Sequence, residues 1–171
     1  ITHYREGIIF QQEEDTDRDG KMDLWSIYVQ GEIARQEEDS NHDGKLDTVY
    51  LYQKGKLVKK EMDTHGDGRI DLREIFKNSQ LVQRELDTNQ DGRMDSWSHY
   101  DHGQLTRVEE DLTGDGFYET VYLYLDGKLA QKQEDTDVDR KMDRWTFFEG
   151  GEILREELDT DKDGRSDTHS I

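Results

Sequence analysis

Short apolar runs alternate along this chain with dense polar stretches, and both return on a fixed step. Leu24-Trp25-Ser26-Ile27-Tyr28 and Val49-Tyr50-Leu51-Tyr52 have counterparts ending at Phe76, Tyr100, Tyr124 and Phe148, all rich in aromatic and β-branched residues. Each run leads into an X-Gly pair and then a second run, such as Ile33-Ala34-Arg35-Gln36-Glu37 or Leu57-Val58-Lys59-Lys60. Two β-prone runs around X-Gly predict a hairpin, because Gly accepts the positive φ of a tight turn. The turn residue is Gly7, Gly31, Gly55, Gly103, Gly127 or Gly151; Ser79 takes its place once and predicts a different or strained turn there. An aromatic precedes every turn (Tyr4, Tyr28, Tyr52, Phe76, Tyr100, Tyr124, Phe148). An aliphatic follows five residues later (Ile9, Ile33, Leu57, Leu81, Leu105, Leu129, Ile153). A two-residue turn sets these opposite each other, a pairing worth roughly 0.2–1 kcal/mol. Helices are excluded by length, since turn signals leave only five to eight residues between breaks.

The alternation within each run is imperfect. Tyr28 faces one side while Trp25 and Ile27 face the other, so both faces of the sheet are partly apolar. The predicted fold is all-β: an antiparallel β-meander of 24-residue hairpin repeats in a single array over residues 1–171. A partial unit covers 1–14, units begin at 15, 39, 63, 87, 111 and 135, and a partial unit covers 159–171. About 14 strands exceed the roughly ten beyond which open sheets curl, so a twisted or superhelical meander is expected. A propeller is disfavoured, because seven units give no whole number of four-stranded blades. The array starts and stops inside a unit, at Ile1–Tyr4 and Thr168–Ile171. The expectation is a mature form or a piece of a longer chain, whose open strand ends offer a route to self-association.

The polar stretches carry the chemistry. Asp15-Thr16-Asp17-Arg18-Asp19-Gly20-Lys21-Met22-Asp23 reads D-x-D-x-D-G-x-x-D, and this nine-place loop, with variations, occurs seven times at a 24-residue step without a gap. A hard cation such as calcium takes oxygen ligands from alternate residues of such a loop, with Gly at place six making the sharp turn. Place one is Asp15, Asp39, Asp63, Asp87, Asp111, Asp135 or Asp159, and place five Asp19, Asp43, Asp67, Asp91, Asp115, Asp139 or Asp163. Place three varies: Asp17, Asp137 and Asp161 are acids, Asn41 and Asn89 neutral oxygens, Thr113 a weaker one, and His65 a nitrogen poorly suited to a hard ion. Place seven needs only its carbonyl, so Lys21, Lys45, Arg69, Arg93, Phe117, Lys141 and Arg165 are tolerable there. Place nine is Asp23, Asp47, Asp71, Asp95, Glu119, Asp143 or Asp167. The first and seventh loops, each with four carboxylates, are expected to bind tightest; Arg140 at place six puts the geometry of the sixth in doubt. Place eight, mostly apolar (Met22, Leu46, Ile70, Met94, Tyr118, Met142), is expected to pin each loop to the sheet.

Composition sharpens this. Only 30% of residues are hydrophobic, 38% are charged and the formal net charge is −19, close to the regime where burial cannot offset chain entropy. A fixed period argues for stacked units that share a core. The loops hold 24 of the 42 acidic residues, so seven divalent ions would relieve most of the charge. Without ions the crowded carboxylates repel and loosen the fold. There is no Cys, hence no disulfide and no thiolate chemistry. No apolar run approaches the roughly 20 residues of a membrane span.

Over their first nine places the loops resemble the calcium loop of the EF-hand. They depart at place twelve, where Ser26, Tyr50, Ser98, Tyr122, Thr146 and Ser170 replace the bidentate Glu and only Glu74 is acidic. The 24-residue spacing is similar to dockerin, without its helix. The nearer resemblance, over all seven units, is to D-x-D-x-D-G-x-x-D loops in β-hairpins, as in integrin α-chain propellers and thrombospondin-type repeats. The chain also looks like the Asp-rich repeat proteins of bacterial envelopes. In those β-loops the ninth-place acid supplies the missing carboxylate, a role the resemblance implies for Asp23, Asp47, Asp71, Asp95, Glu119, Asp143 and Asp167.

The remaining features read as structural. Glu13, Glu37, Glu61, Glu85, Glu109 and Glu157 stand two residues before a loop as cross-strand partners for bases, with a further metal ligand the sharper alternative. His3, His42, His65, His99, His102 and His169 fall at unrelated repeat positions, against a shared zinc or catalytic role. Trp25, Trp97 and Trp145 share one position, as packing residues do, with a sugar-stacking platform as the alternative. Lys59-Lys60 lies beside acids and is no nucleic-acid track, and no phosphate loop or nucleophile triad is present. The expectation is a non-enzymatic, calcium-stabilised, extracytoplasmic structural repeat protein with up to seven Ca2+ sites: a rigid spacer, adhesin segment or fibre subunit. The alternatives are a glycan- or protein-recognition module using a sheet face, and an accessory region of a larger enzyme.

Overall fold

The computed structural model describes residues 1–170, and side chains through residue 168. Ile171 of the expected terminal strand, and the side chains of His169 and Ser170, lie outside the described residues. The described residues form fifteen strands: β1 Thr2–Arg5, β2 Ile8–Glu14, β3 Leu24–Val29, β4 Glu32–Glu38, β5 Thr48–Gln53, β6 Lys56–Met62, β7 Leu72–Lys77, β8 Gln80–Leu86, β9 Ser96–Asp101, β10 Gln104–Glu110, β11 Thr120–Leu125, β12 Lys128–Glu134, β13 Arg144–Glu149, β14 Glu152–Leu158 and β15 Thr168–Ser170. They are hydrogen-bonded in sequence order within one sheet. The fold is the all-β antiparallel meander of 24-residue hairpins, with no helix among the described residues. By contact density the chain forms two compact units, Ile1–Arg84 and Glu85–Ile171.

From β3 onward each repeat is a six-residue strand, a two-residue turn, a seven-residue strand and a nine-residue loop. The turns are tight, with φ positive at both residues, 53° and 81° at Gln30 and Gly31, as type I′ requires. The Ser79 turn keeps that conformation, with φ 52° at Asn78 and 64° at Ser79. It is the strained version of the same turn rather than a different one.

The aromatic–aliphatic pairs form as the spacing predicts: Tyr28 opposes Ile33, Tyr52 opposes Leu57 and Tyr124 opposes Leu129. The third residue of the return strand is a β-bulge. Ile27 opposes Arg35 while Tyr28 opposes Ile33, which leaves Ala34 unpaired. An extra residue in one strand shifts the inside–outside alternation by one. Arg35 and Glu37 therefore share the face of Trp25 and Ile27, and the alternation in the sequence looks broken.

Burial is unequal along the strands. Val121, 3% exposed, is the one fully buried hydrophobic residue among those described. The other buried positions lie toward the acidic loops and are small hydroxyls (Ser26, Thr48, Ser96, Thr120, Thr146) or acids. The Glu residues preceding the loops pair with bases. Arg35 reaches Glu37 at 2.6 Å and Arg107 reaches Glu109 at 2.6 Å along one strand, while Arg73 reaches Glu61 at 3.0 Å across strands.

Candidate metal centres

Each acidic loop is folded around its first and ninth carboxylates. The first-place Asp accepts the place-six amide on Oδ2, at 2.8 Å from Gly44 to Asp39 and 2.7 Å from Gly68 to Asp63. Its Oδ1 takes amides from places four and five, as with Gly66 at 2.7 Å and Asp67 at 3.3 Å on Asp63. The fifth-place Asp accepts the place-seven amide on Oδ1, at 2.8 Å for Lys21 to Asp19 and 2.9 Å for Lys45, Arg69, Arg93, Lys141 and Arg165 to their partners. In the same way Phe117 donates to Asp115 at 2.8 Å. These bonds leave Oδ2 of the fifth-place Asp free of loop amides. Third-place oxygens join in, with Asn41 Oδ1 accepting from Asp43 at 2.9 Å and Asn89 Oδ1 from Asp91 at 2.9 Å.

The ninth-place acid closes the loop by accepting from place two. Asp47 takes the Ser40 amide at 2.9 Å and hydroxyl at 2.7 Å, and Asp71 takes the same groups of Thr64 at 2.9 and 2.7 Å. Asp95 and Asp143 do likewise with Thr88 and Thr136, and Asp23 takes the Thr16 amide. Glu119 takes the Leu112 amide at 2.6 Å and the Thr113 hydroxyl at 2.8 Å. Burial pushes the Asp47 carboxyl up, but hydrogen bonds from Ser40, Thr48 and Asn41 outweigh it and hold it below the usual carboxylate range. At Asp71 burial likewise pushes up, and bonds from Thr64 and His65 bring the carboxyl down.

Neighbouring loops are tied by backbone. The Asp39 amide donates to the Asp23 carbonyl at 2.9 Å, Asp63 to Asp47 at 2.8 Å, Asp135 to Glu119 at 2.9 Å and Asp159 to Asp143 at 2.8 Å. In the fifth loop Tyr118 packs on Trp97 with ring centroids 5.3 Å apart, the pinning expected of place eight. Leu46, by contrast, is exposed.

Carboxylates cluster accordingly. The sixth loop brings Asp135, Asp137, Asp139 and Asp143 within 4.8 Å of one another; the first gathers Asp15, Asp17 and Asp19, the fifth Asp111, Asp115 and Glu119, and the seventh Asp159, Asp161 and Asp167. Asp23 joins a separate group with Asp17 and His42 of the next loop. Among the described residues the second, third and fourth loops form no such group; they carry Asn41, His65 and Asn89 at place three. His65 Nδ1 lies 2.6 Å from Asp71 Oδ2, so it engages the ninth-place acid directly. The sixth loop, doubtful from its sequence, holds its shape: Arg140 takes φ 70° and its amide still reaches Asp135 Oδ2 at 2.8 Å.

Two features of the loops were not read from the sequence. Place two supplies a hydroxyl to the ninth acid, and the recurrence of Ser or Thr there was a usable signal. Place four has positive φ in every loop, from His42 at 59° to Gly114 at 74°; the hint was Gly66 and Gly114.

Outside the third loop, where His65 stands at place three, the side-chain donors are all oxygens, and the anionic set suits a divalent metal ion. Twelve acids at places one and nine are less than 9% exposed, and buried charge is normally paired or bound to metal.

No family model and no curated protein matches the chain. Among solved structures it is similar to a chain in the crystal structure of accessory secretory protein 1, 2 and 3 from Streptococcus pneumoniae, with TM-score 0.34 and 17% identity. That match covers 81% of this chain and 21% of the other. Among the described residues no helix is long and apolar enough to cross a membrane.

Proposed function

We propose that this is a calcium-binding, calcium-stabilised structural repeat protein that works outside the cytoplasm and has no catalytic role of its own. The observation that carries the reading is the inverted burial: among the described residues fourteen acids are buried and only one hydrophobic side chain, Val121. Each ion would be held by the side chains of places one, three, five and nine and the carbonyl of place seven. Calcium is favoured over magnesium, because the loops offer many oxygens in flexible geometry, whereas magnesium demands a near-ideal octahedron and keeps its waters. Loops of modest affinity fill at the millimolar calcium found outside cells and stay empty at cytosolic levels, which supports an extracytoplasmic setting. Filled, the array acts as a stiff spacer or surface segment. Calorimetric titration of metal-stripped protein tests this: several calcium equivalents per chain are expected, with magnesium weaker. No calcium uptake at millimolar concentration would overturn it.

A further inference from the structure

Successive loops also reach one another through cationic side chains. In the unit Glu85–Ile171, Arg140 extends from place six of the sixth loop back to the fifth. Its Nε lies 2.9 Å from Asp115 Oδ2 and a terminal guanidinium nitrogen 2.8 Å from the same oxygen, with a further bond of 3.1 Å to the Asp115 carbonyl. Lys162, at place four of the seventh loop, sets its ammonium on Asp137 Oδ2 of the sixth. In the unit Ile1–Arg84, His42 Nδ1 at place four of the second loop lies 3.5 Å from Asp17 Oδ2 and 3.4 Å from Asp23 Oδ2. The oxygen Arg140 holds is the one an ion would use, since Asp115 Oδ1 already accepts the Phe117 amide at 2.8 Å.

For His42 and Lys162 the sequence carries a matching rule at place four. Where place three is an acid with a loop after it, Asp17 or Asp137, place four of the next loop is a base, His42 or Lys162. Where place three holds no acid, at Asn41, His65, Asn89 and Thr113, place four of the next loop holds no base: Gly66, Gln90, Gly114 and Val138. The bases are kept against backbone preference. Arg140 has φ 70° and Lys162 φ 64°, a region where only Gly is free of steric cost.

We propose that Arg140 and Lys162 are tethered cations: without a divalent ion each occupies the outward carboxylate oxygen of the preceding loop, and an ion binding there must displace it. The fifth and sixth loops therefore fill at higher calcium than their own ligands would dictate. Filling one loop also frees a side chain of the next, which links neighbouring sites. This rests on the reading of the loops as divalent-ion sites.

The test follows backbone amides by NMR during calcium titration of the full chain, using Gly116 for the fifth loop, Arg140 for the sixth and Gly44 as an untethered reference. Arg140→Gly restores the residue that the other six loops have at place six. It should lower the Gly116 midpoint about two- to fivefold, the range for losing one exposed ion pair, and leave Gly44 unchanged. Lys162→Gln removes only the charge, since Gln90 already occupies place four at φ 62°, and it should lower the midpoint at the Arg140 amide likewise. Unchanged or higher midpoints, with calcium still bound, would overturn the tether and leave the calcium reading standing. Loss of all calcium response in the unaltered protein would overturn both.

Discussion

The two ends of each hairpin obey opposite rules. At the turn end, large apolar side chains are exposed: Ile8 at 53%, Val29 at 61% and Leu125 at 68%. At the loop end, carboxylates are buried, with Asp23 at 4% and Glu119 at 3%. One end is held by a two-residue turn with both φ values positive and by an aromatic–aliphatic pair. The other is held by a carboxylate that gathers amides and hydroxyls around itself. A single-layer sheet has little room for an apolar core, and most of the buried positions among the described residues are acids. Order at the loop end therefore depends on what neutralises that charge.

The largest expected effect separates the ends by removing metal. An ion at ~100 times its dissociation constant contributes about 2.7 kcal/mol. Two such sites would move Tm by roughly 10–20 °C for a chain of this size. Differential scanning calorimetry with and without excess chelator measures it, and an identical melting curve would mean that the loops are held by their own hydrogen bonds alone.

The next contrast is local. Asp47→Ala strands the Ser40 amide and hydroxyl, the Asn41 amide and the Thr48 hydroxyl, and should cost about 3 kcal/mol, as for loss of a buried charged acceptor. Leu125→Ala at a turn should cost no more than ~0.5 kcal/mol, as for a surface change. Urea unfolding of the two variants in metal-free buffer compares them. A larger loss at Leu125 would reverse the account of where stability lies.

Much of this was legible in the sequence. The 24-residue step, the X-Gly turns and the apolar pairs gave strand order and register, because turn geometry fixes which residues oppose. The bulge at Ala34 was not legible: it alters no residue type and shows only as imperfect alternation. The ligand positions were marked by side chains whose chemistry is specific. Place four and the place-two hydroxyls were not recognised, because positive φ and capping admit several residue types. The behaviour of Arg140 depended on a partner 25 residues away, which no single loop reveals.

A smaller effect comes with acid. Asp47 and Asp71 have folded-state carboxyls below their ordinary value of 3.8. Their contribution is therefore present above about pH 4, where an unfolded Asp is ionised, and is lost as pH falls through the lower folded value. Repulsion among the loop acids works the other way, since protonation relieves it. The urea midpoint of metal-free protein should fall as pH drops from 4 toward 3. A rising midpoint would show that repulsion outweighs the hydrogen bonds.

The smallest effect tests the turn end alone. Ser79 holds φ 64° where the other turns place Gly at φ 64–91° on one or both residues, and a non-Gly residue there costs roughly 1–2 kcal/mol. Ser79→Gly removes that cost. It also makes the unfolded chain more flexible, which takes back about 0.4–1 kcal/mol. The balance is a gain of about 0.5 kcal/mol, or 1–2 °C in Tm. The reverse change, Gly55→Ser, should lose a similar amount. Because neither residue touches a loop, both shifts should be the same with calcium and with chelator. A shift that depended on calcium would couple the two ends and end the separation between them.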